Sequence, residues 1–136
     1  MVDPLDGTKE FINRNGEFTV NIALIEDTVP THGFIYVPDK KTLYFTRCKQ
    51  GKGERFGCHI YKSTYDGTTW SVSVEIIIAE SDTIVVAHPS VSADGSHLFF
   101  ASDLPGGKGG KDLWFVKYDE STDSYSAPVN IAGVNT

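Results

Sequence analysis

The sequence has little with which to cross-link itself: two cysteines, Cys48 and Cys58, stand in 136 residues. A zinc site of the Cys-x-x-Cys kind is excluded, because the spacing is wrong and no second cysteine pair exists. The two thiols flank one loop. Across a closed hairpin they could pair in an oxidising compartment, but the plainer expectation is two unpaired thiols. No apolar run is long enough to span a bilayer, and no signal peptide is visible after Met1. Positive charge is scarce as well. The net charge of −6 argues against nucleic acid or an anionic membrane as a partner. The histidines, His32, His59, His88 and His97, show no ligand spacing, and none is expected to be a metal site.

What the chain does have is apolar surface and period two. Apolar residues make up 40% of it, enough for one small domain with a core and against wholesale disorder. Phe18, Val20, Ile22 and Leu24 alternate, so residues 18–25 read as a strand. Residues 33–37 and 42–46 read as two more, with a turn at 27–30. Before them, residues 8–13 read as a short helix capped by Asp6 or Thr8 and stopped by Asn15-Gly16.

From Leu43 the chain repeats itself. Leu43-Tyr44-Phe45, a Gly/Lys loop, Ile60-Tyr61 and Trp70-Ser71 are echoed by Leu98-Phe99-Phe100, a Gly/Lys loop, Leu113-Trp114 and Tyr125-Ser126. Leu43 to Leu98 and Trp70 to Tyr125 are both steps of 55. Self-similarity at such a period marks propeller blades, each of four short antiparallel strands. About one and a half blades are expected, the first entered midway.

Four segments bear on chemistry. Val2-Asp3-Pro4-Leu5-Asp6-Gly7-Thr8 places two carboxylates three residues apart, in what reads as a turn ahead of a helix start. Magnesium takes oxygen ligands such as these carboxylates and the Leu5 carbonyl. The N–H groups of Gly7 and Thr8 at a helix start suit phosphate. Taken on physics alone, the favoured reading of the same residues is a helix-capping turn with solvated aspartates. Gly106-Gly107-Lys108-Gly109-Gly110-Lys111-Asp112 fails as a phosphate loop: Pro105 stands at the first glycine position, Asp112 at the Ser/Thr position, and a strand follows. Asp66-Gly67-Thr68 and Asp94-Gly95 read as hairpin turns.

The run from Asp3 through Asp6-Gly7-Thr8-Lys9-Glu10-Phe11-Ile12 and Arg14-Asn15-Gly16-Glu17-Phe18 to about Pro38 resembles the inositol monophosphatase superfamily, in its 3′(2′),5′-bisphosphate nucleotidase branch. The resemblance implies metal ligands at Asp3, Leu5 (through its carbonyl) and Asp6. It implies phosphate contacts at Gly7 and Thr8, and a catalytic role for Thr8 in orienting the attacking water. The implied chemistry is two-metal hydrolysis of a phosphate monoester with Mg2+. The family's upstream glutamate and later Trp-Asp motif have no counterpart in these residues. The expectation is therefore weak or absent magnesium binding and no useful phosphatase activity.

His88-Pro89-Ser90-Val91-Ser92-Ala93-Asp94-Gly95, Leu98-Phe99-Phe100-Ala101-Ser102-Asp103 and Pro128-Val129-Asn130 resemble WD40-like β-propeller repeats of bacterial cell-envelope proteins. That resemblance implies a non-catalytic structural or binding role, with a cell-envelope protein or glycan as ligand. The two resemblances meet near residues 38–47, and a chimera of two fragments is the expectation. The expected architecture is mainly β, with antiparallel sheets: a truncated phosphatase helix–strand–strand segment at 1–40, then propeller-like repeats at 41–136. Exposed strand edges are expected to favour self-association. The phosphatase resemblance implies a cytoplasmic location, the propeller resemblance the periplasm or cell envelope.

Overall fold

Period-two alternation does set the chain into antiparallel strands. The computed structural model describes residues 2–6, 12, 19–26, 29–38, 40–48 and 57–135. The first sheet runs in chain order through β1 (Val2–Asp6), β2 (Thr19–Glu26), β3 (Val29–Val37), β4 (Thr42–Cys48), β5 (Cys58–Thr64) and β6 (Val74–Glu75). The second holds β7 (Val86–Val91), β8 (His97–Ser102) and β9 (Asp112–Asp119). Two short strands, β10 (Ser124–Tyr125) and β11 (Val129–Asn130), pair with β9 along the edge that β8 leaves free. They act as one broken fourth strand. The helix expected over residues 8–13 lies outside the described residues except for Ile12. The turn expected at 27–30 is outside them at 27–28, and Val29 and Pro30 belong to β3.

The repeat is present in the hydrogen-bond register, and it begins one strand earlier than the sequence suggested. Tyr36 faces Leu43 across β3–β4, and Val91 faces Leu98 across β7–β8: both members move by 55. One row across the first sheet reads Ile35, Tyr44, Lys62, Val74. Its counterpart in the second reads Ser90, Phe99, Phe115, Val129. The β5–β9 step is 53, since Lys62 corresponds to Phe115, and the longer turn before Tyr125 restores 55. The polar detail repeats too. Ser71 N–H donates to the Thr64 carbonyl at 2.8 Å, and Ser126 N–H to the Lys117 carbonyl at 2.9 Å. The chain thus holds two four-stranded units, β3–β6 and β7–β11. Because β1 and β2 extend the first unit, the division expected at residue 40 falls inside one continuous sheet.

The units pack face to face. Along β8 the burial alternates, with Leu98 and Phe100 inward, and Trp114 and Val116 on β9 face the same way. They form one core with Tyr44, Ile60 and Ile76 of the first unit. Strand β7 lies against β3, β4 and β5. At Ala87–Ser90 one extra residue bulges from β7, where His88 takes a φ of 56°. Its N–H donates to Thr46 Oγ1 at 3.2 Å, which ties the bulge to the first sheet.

Turn chemistry follows the expected residues. Gly95 takes a φ of 75° in the β7–β8 turn. Asp94 accepts from the Ser96 N–H at 3.0 Å. Asp66 accepts from the N–H groups of Thr68 and Thr69 at 2.7 and 2.8 Å. The unpaired-thiol expectation is overturned. Cys48 and Cys58 face each other at the end of the β4–β5 ladder and form a disulfide, S–S 2.04 Å. Cross-strand register brings the two Cβ atoms within bridging range, a fact that loop length alone does not reveal.

Candidate functional site

Asp3, Leu5 and Asp6 all lie in β1, so the expected Asp-Pro-Leu-Asp turn is instead a strand. β1 is an edge strand, where the missing proline N–H costs no ladder bond if it points outward. The pairing is bulged: Asp3 faces Asn21 and Asp6 faces Thr19. Three steps along β1 thus match two along β2, a bulge in the backbone pairing. Gly7 and Thr8 lie outside the described residues. The donor types fit magnesium, with two carboxylates and a carbonyl on one short strand, and water and phosphate as further ligands. Among the described residues no group of three or more His, Cys, Asp or Glu adds to them as a metal site.

A second site has no counterpart in the sequence reading. Between the two units lies a cavity of about 390 Å³, walled by Thr42, Tyr44, Lys62 and Val74 on one side and by Val91, Tyr118 and Asp123 on the other. Lys62 Nζ lies 2.5 Å from Asp123 Oδ1 and sits 5.3 and 5.5 Å from the ring centres of Tyr118 and Tyr125. The Tyr118 hydroxyl donates to the same Asp123 oxygen at 2.8 Å. At the rim Lys40 pairs with Glu120 at 3.3 Å. Each cation has its own carboxylate, so this cleft is no open anion site. Its hydroxyls, rings and paired charges suit a neutral polar ligand.

The electrostatics follow from these contacts. Hydrogen bonds from Lys62 and Tyr118, with the lysine's charge, hold the Asp123 carboxyl below its usual range. Burial first, then the Asp123 hydrogen bond and charge, push the Tyr118 phenol up to about 12. A raised phenol favours the folded state below the ordinary value of roughly 10, and that contribution is lost as pH climbs through about 12. Asp123→Asn is expected to bring the Tyr118 titration down toward the ordinary value, followed by phenolate absorbance. An unmoved titration would mean that burial alone sets it.

The glycine-rich loop at 103–111 is a hairpin connection, as expected. The Lys108 N–H donates to the carboxylate of buried Asp112, and Asn130 Nδ2 donates to it at 3.2 Å. The chain's own carboxylate thus takes a donor that a phosphate loop would offer its ligand. Of the histidines, His97 stacks on Phe99 at 6.1 Å and meets Phe115 at a tilt, 5.5 Å between ring centres. His59 Nδ1 meets Glu75 Oε1 at 2.8 Å.

Comparison with known proteins bears on the first site. The chain is 55% identical over 62 residues to the 3′(2′),5′-bisphosphate nucleotidase CysQ of Salmonella typhimurium, covering 46% of this chain and 24% of that protein. It is 57% identical over 58 residues to the protein of that name from Buchnera aphidicola, covering 42% and 22%. To its namesake from Haemophilus influenzae it is 32% identical over 78 residues, covering 57% and 29%. The chain therefore spans about a quarter of the length of these curated relatives. No solved structure matches it significantly. The family profile described as "Inositol monophosphatase family" matches residues 1–99. That match runs through the junction expected at 38–47 and gives no support to a chimera or to the propeller resemblance. No helix among the described residues is long and apolar enough to cross a membrane. With more than half of its sequence matched by that profile, the chain belongs to the inositol monophosphatase family.

Proposed function

We propose that the first third of this chain is the metal- and phosphate-binding portion of a 3′(2′),5′-bisphosphate nucleotidase site, directed at the phosphate monoester of a nucleoside 3′,5′-bisphosphate. The observation that carries this reading is the 55% identity to a nucleotidase of that name. The placing of positions 3, 5 and 6 on one short edge strand supports it. Asp3, Leu5 and Asp6 would hold Mg2+, and Gly7 and Thr8 the phosphate, with Thr8 orienting water. Bound magnesium would supply charge neutralisation and an activated water. Two-metal hydrolysis calls for more carboxylates than Asp3 and Asp6 provide. The expected outcome is weak, magnesium-dependent binding of adenosine 3′,5′-bisphosphate without phosphate release, with binding lost in Asp3→Asn. No binding by calorimetry sinks the reading. Release that needs magnesium and disappears in Asp6→Asn would show a complete enzyme instead.

The common register of the two units, and the cavity between them, support a second reading. Residues 41–136 would act as a non-catalytic, propeller-like binding segment for a cell-envelope glycan or protein. A glycan in the cavity would shift the Tyr118 phenol titration. A titration that peptidoglycan fragments leave unchanged counts against it.

A further inference from the structure

The two units present their faces unequally. In the first unit, the face carrying Ile60 and Ile76 is covered by the second unit, and these residues are 0% and 4% exposed. Their register counterparts on the second unit are Leu113 and Ile131: Ile76 N–H bonds the Ile60 carbonyl, and Ile131 N–H bonds the Leu113 carbonyl. There Leu113 is 47% exposed, while Val74 and its counterpart Val129 are open in both units, at 59% and 46%. Phe99 and Phe115 lie beside Leu113 and Val129 with ring centres 6.0 Å apart. The Ile60 position is thus buried where the second unit covers it, and its counterpart Leu113 is open on the second unit.

The covering elements have counterparts as well. The second unit caps the first with Val91, Tyr118 and Tyr125, the two tyrosine rings lying against Lys62. One repeat earlier these positions are Tyr36, Tyr65 and Trp70, which form an aromatic cluster with ring centres 5.8 and 5.2 Å apart. Trp70 is 46% exposed. The Lys62 position is Phe115 in the second unit.

We propose that the outer face of the second unit, centred on Phe115 and Leu113, receives the Tyr36–Tyr65–Trp70 corner of a second copy. The contact would continue between chains the packing already present within one. It is head-to-tail: each copy offers one face and one corner, so copies form rings or open chains rather than a two-fold pair. Phe115 would lie on Tyr65 and Trp70, an aromatic contact in place of the ammonium–ring contact of Lys62.

The test is sedimentation over a range of concentrations, with tryptophan emission read in parallel. Trp114 is already buried at 6% exposure, so Trp70 reports association. The wild-type chain should associate and its emission shift to the blue. Phe115→Glu and Trp70→Glu should each weaken self-association by about thirtyfold or more, the loss typical of a central aromatic anchor. Mixed in equal amounts, the two variants should form a heterodimer, because one keeps a working face and the other a working corner. A wild-type monomer with concentration-independent emission overturns the proposal. So does a mixture of folded variants that stays monomeric. Loss in Phe115→Glu alone, with Trp70→Glu unaffected, would indicate face-to-face pairing and overturns it equally. The wild-type emission series decides the matter even if a variant fails to fold.

Discussion

Phe100→Ala is expected to cost the fold about 3–5 kcal/mol, read as a lower urea midpoint at unchanged slope. Phe100 is 1% exposed and stands where the two units meet, in one cluster with Leu98, Trp114 and Val116 and with Tyr44 and Ile60 of the first sheet. Its backbone is held opposite Trp114 in the β8–β9 ladder, so the neighbours can collapse only a little into the space left behind. The cost then combines lost transfer free energy with a residual cavity. A domain's whole stability is about 5–15 kcal/mol, so such a loss leaves the fold marginal. Phe100→Leu keeps much of the volume and should cost clearly less. A loss below about 1 kcal/mol in the alanine variant would mean that the units do not share a core, since exposed sites lose about that little. The cavity that holds Lys62 and Asp123 would then have no rigid walls.

Gly57→Ala is expected to destabilise by about 2–4 kcal/mol, from overpacking together with a lost backbone hydrogen bond. The reason is space. A Cβ on Gly57 would lie 1.9 Å from the Ile84 carbonyl oxygen and 2.9 Å from that of Asp82. Both are backbone atoms, so no side chain can swing aside. The Gly57 N–H donates to the Asp82 carbonyl at 2.7 Å, and separating the two segments to admit a methyl breaks that bond. Gly57 enters β5 beside the disulfide, and residues 82–84 enter β7, so the contact also fixes how the second unit leaves the first. Thermal unfolding is the readout, and a midpoint equal to wild type would refute the close approach. Gly67 makes a useful control for space alone, because nothing lies within 4 Å of its Cβ position. Its φ of 105° nevertheless makes any alanine there strained.

Local patterns were legible in the chain, and pairings were not. β2, β4, β8 and β9 follow from alternation, and the hairpins at Asp66-Gly67 and Asp94-Gly95 follow from turn chemistry, because each depends on residues a few positions apart. Asp-Pro-Leu-Asp read as a turn because its strand character depends on pairing with β2. β3 escaped the repeat because Ile35-Tyr36 and Ser90-Val91 share little but their place in a ladder. Lys62 and Asp123 stand 61 residues apart, and nothing local couples them.

By itself the sequence determined the β class, the turns at Asp66-Gly67 and Asp94-Gly95, the failed phosphate loop and the carboxylates of the nucleotidase-like motif. These are set by side-chain type and near-neighbour spacing. Only the tertiary structure decided that Cys48 meets Cys58, that β1 pairs with β2 through a bulge, and that Ile60 is covered where Leu113 stays open. Those outcomes rest on strand register and on which sheet covers which, and both come from hydrogen bonds and packing between distant segments.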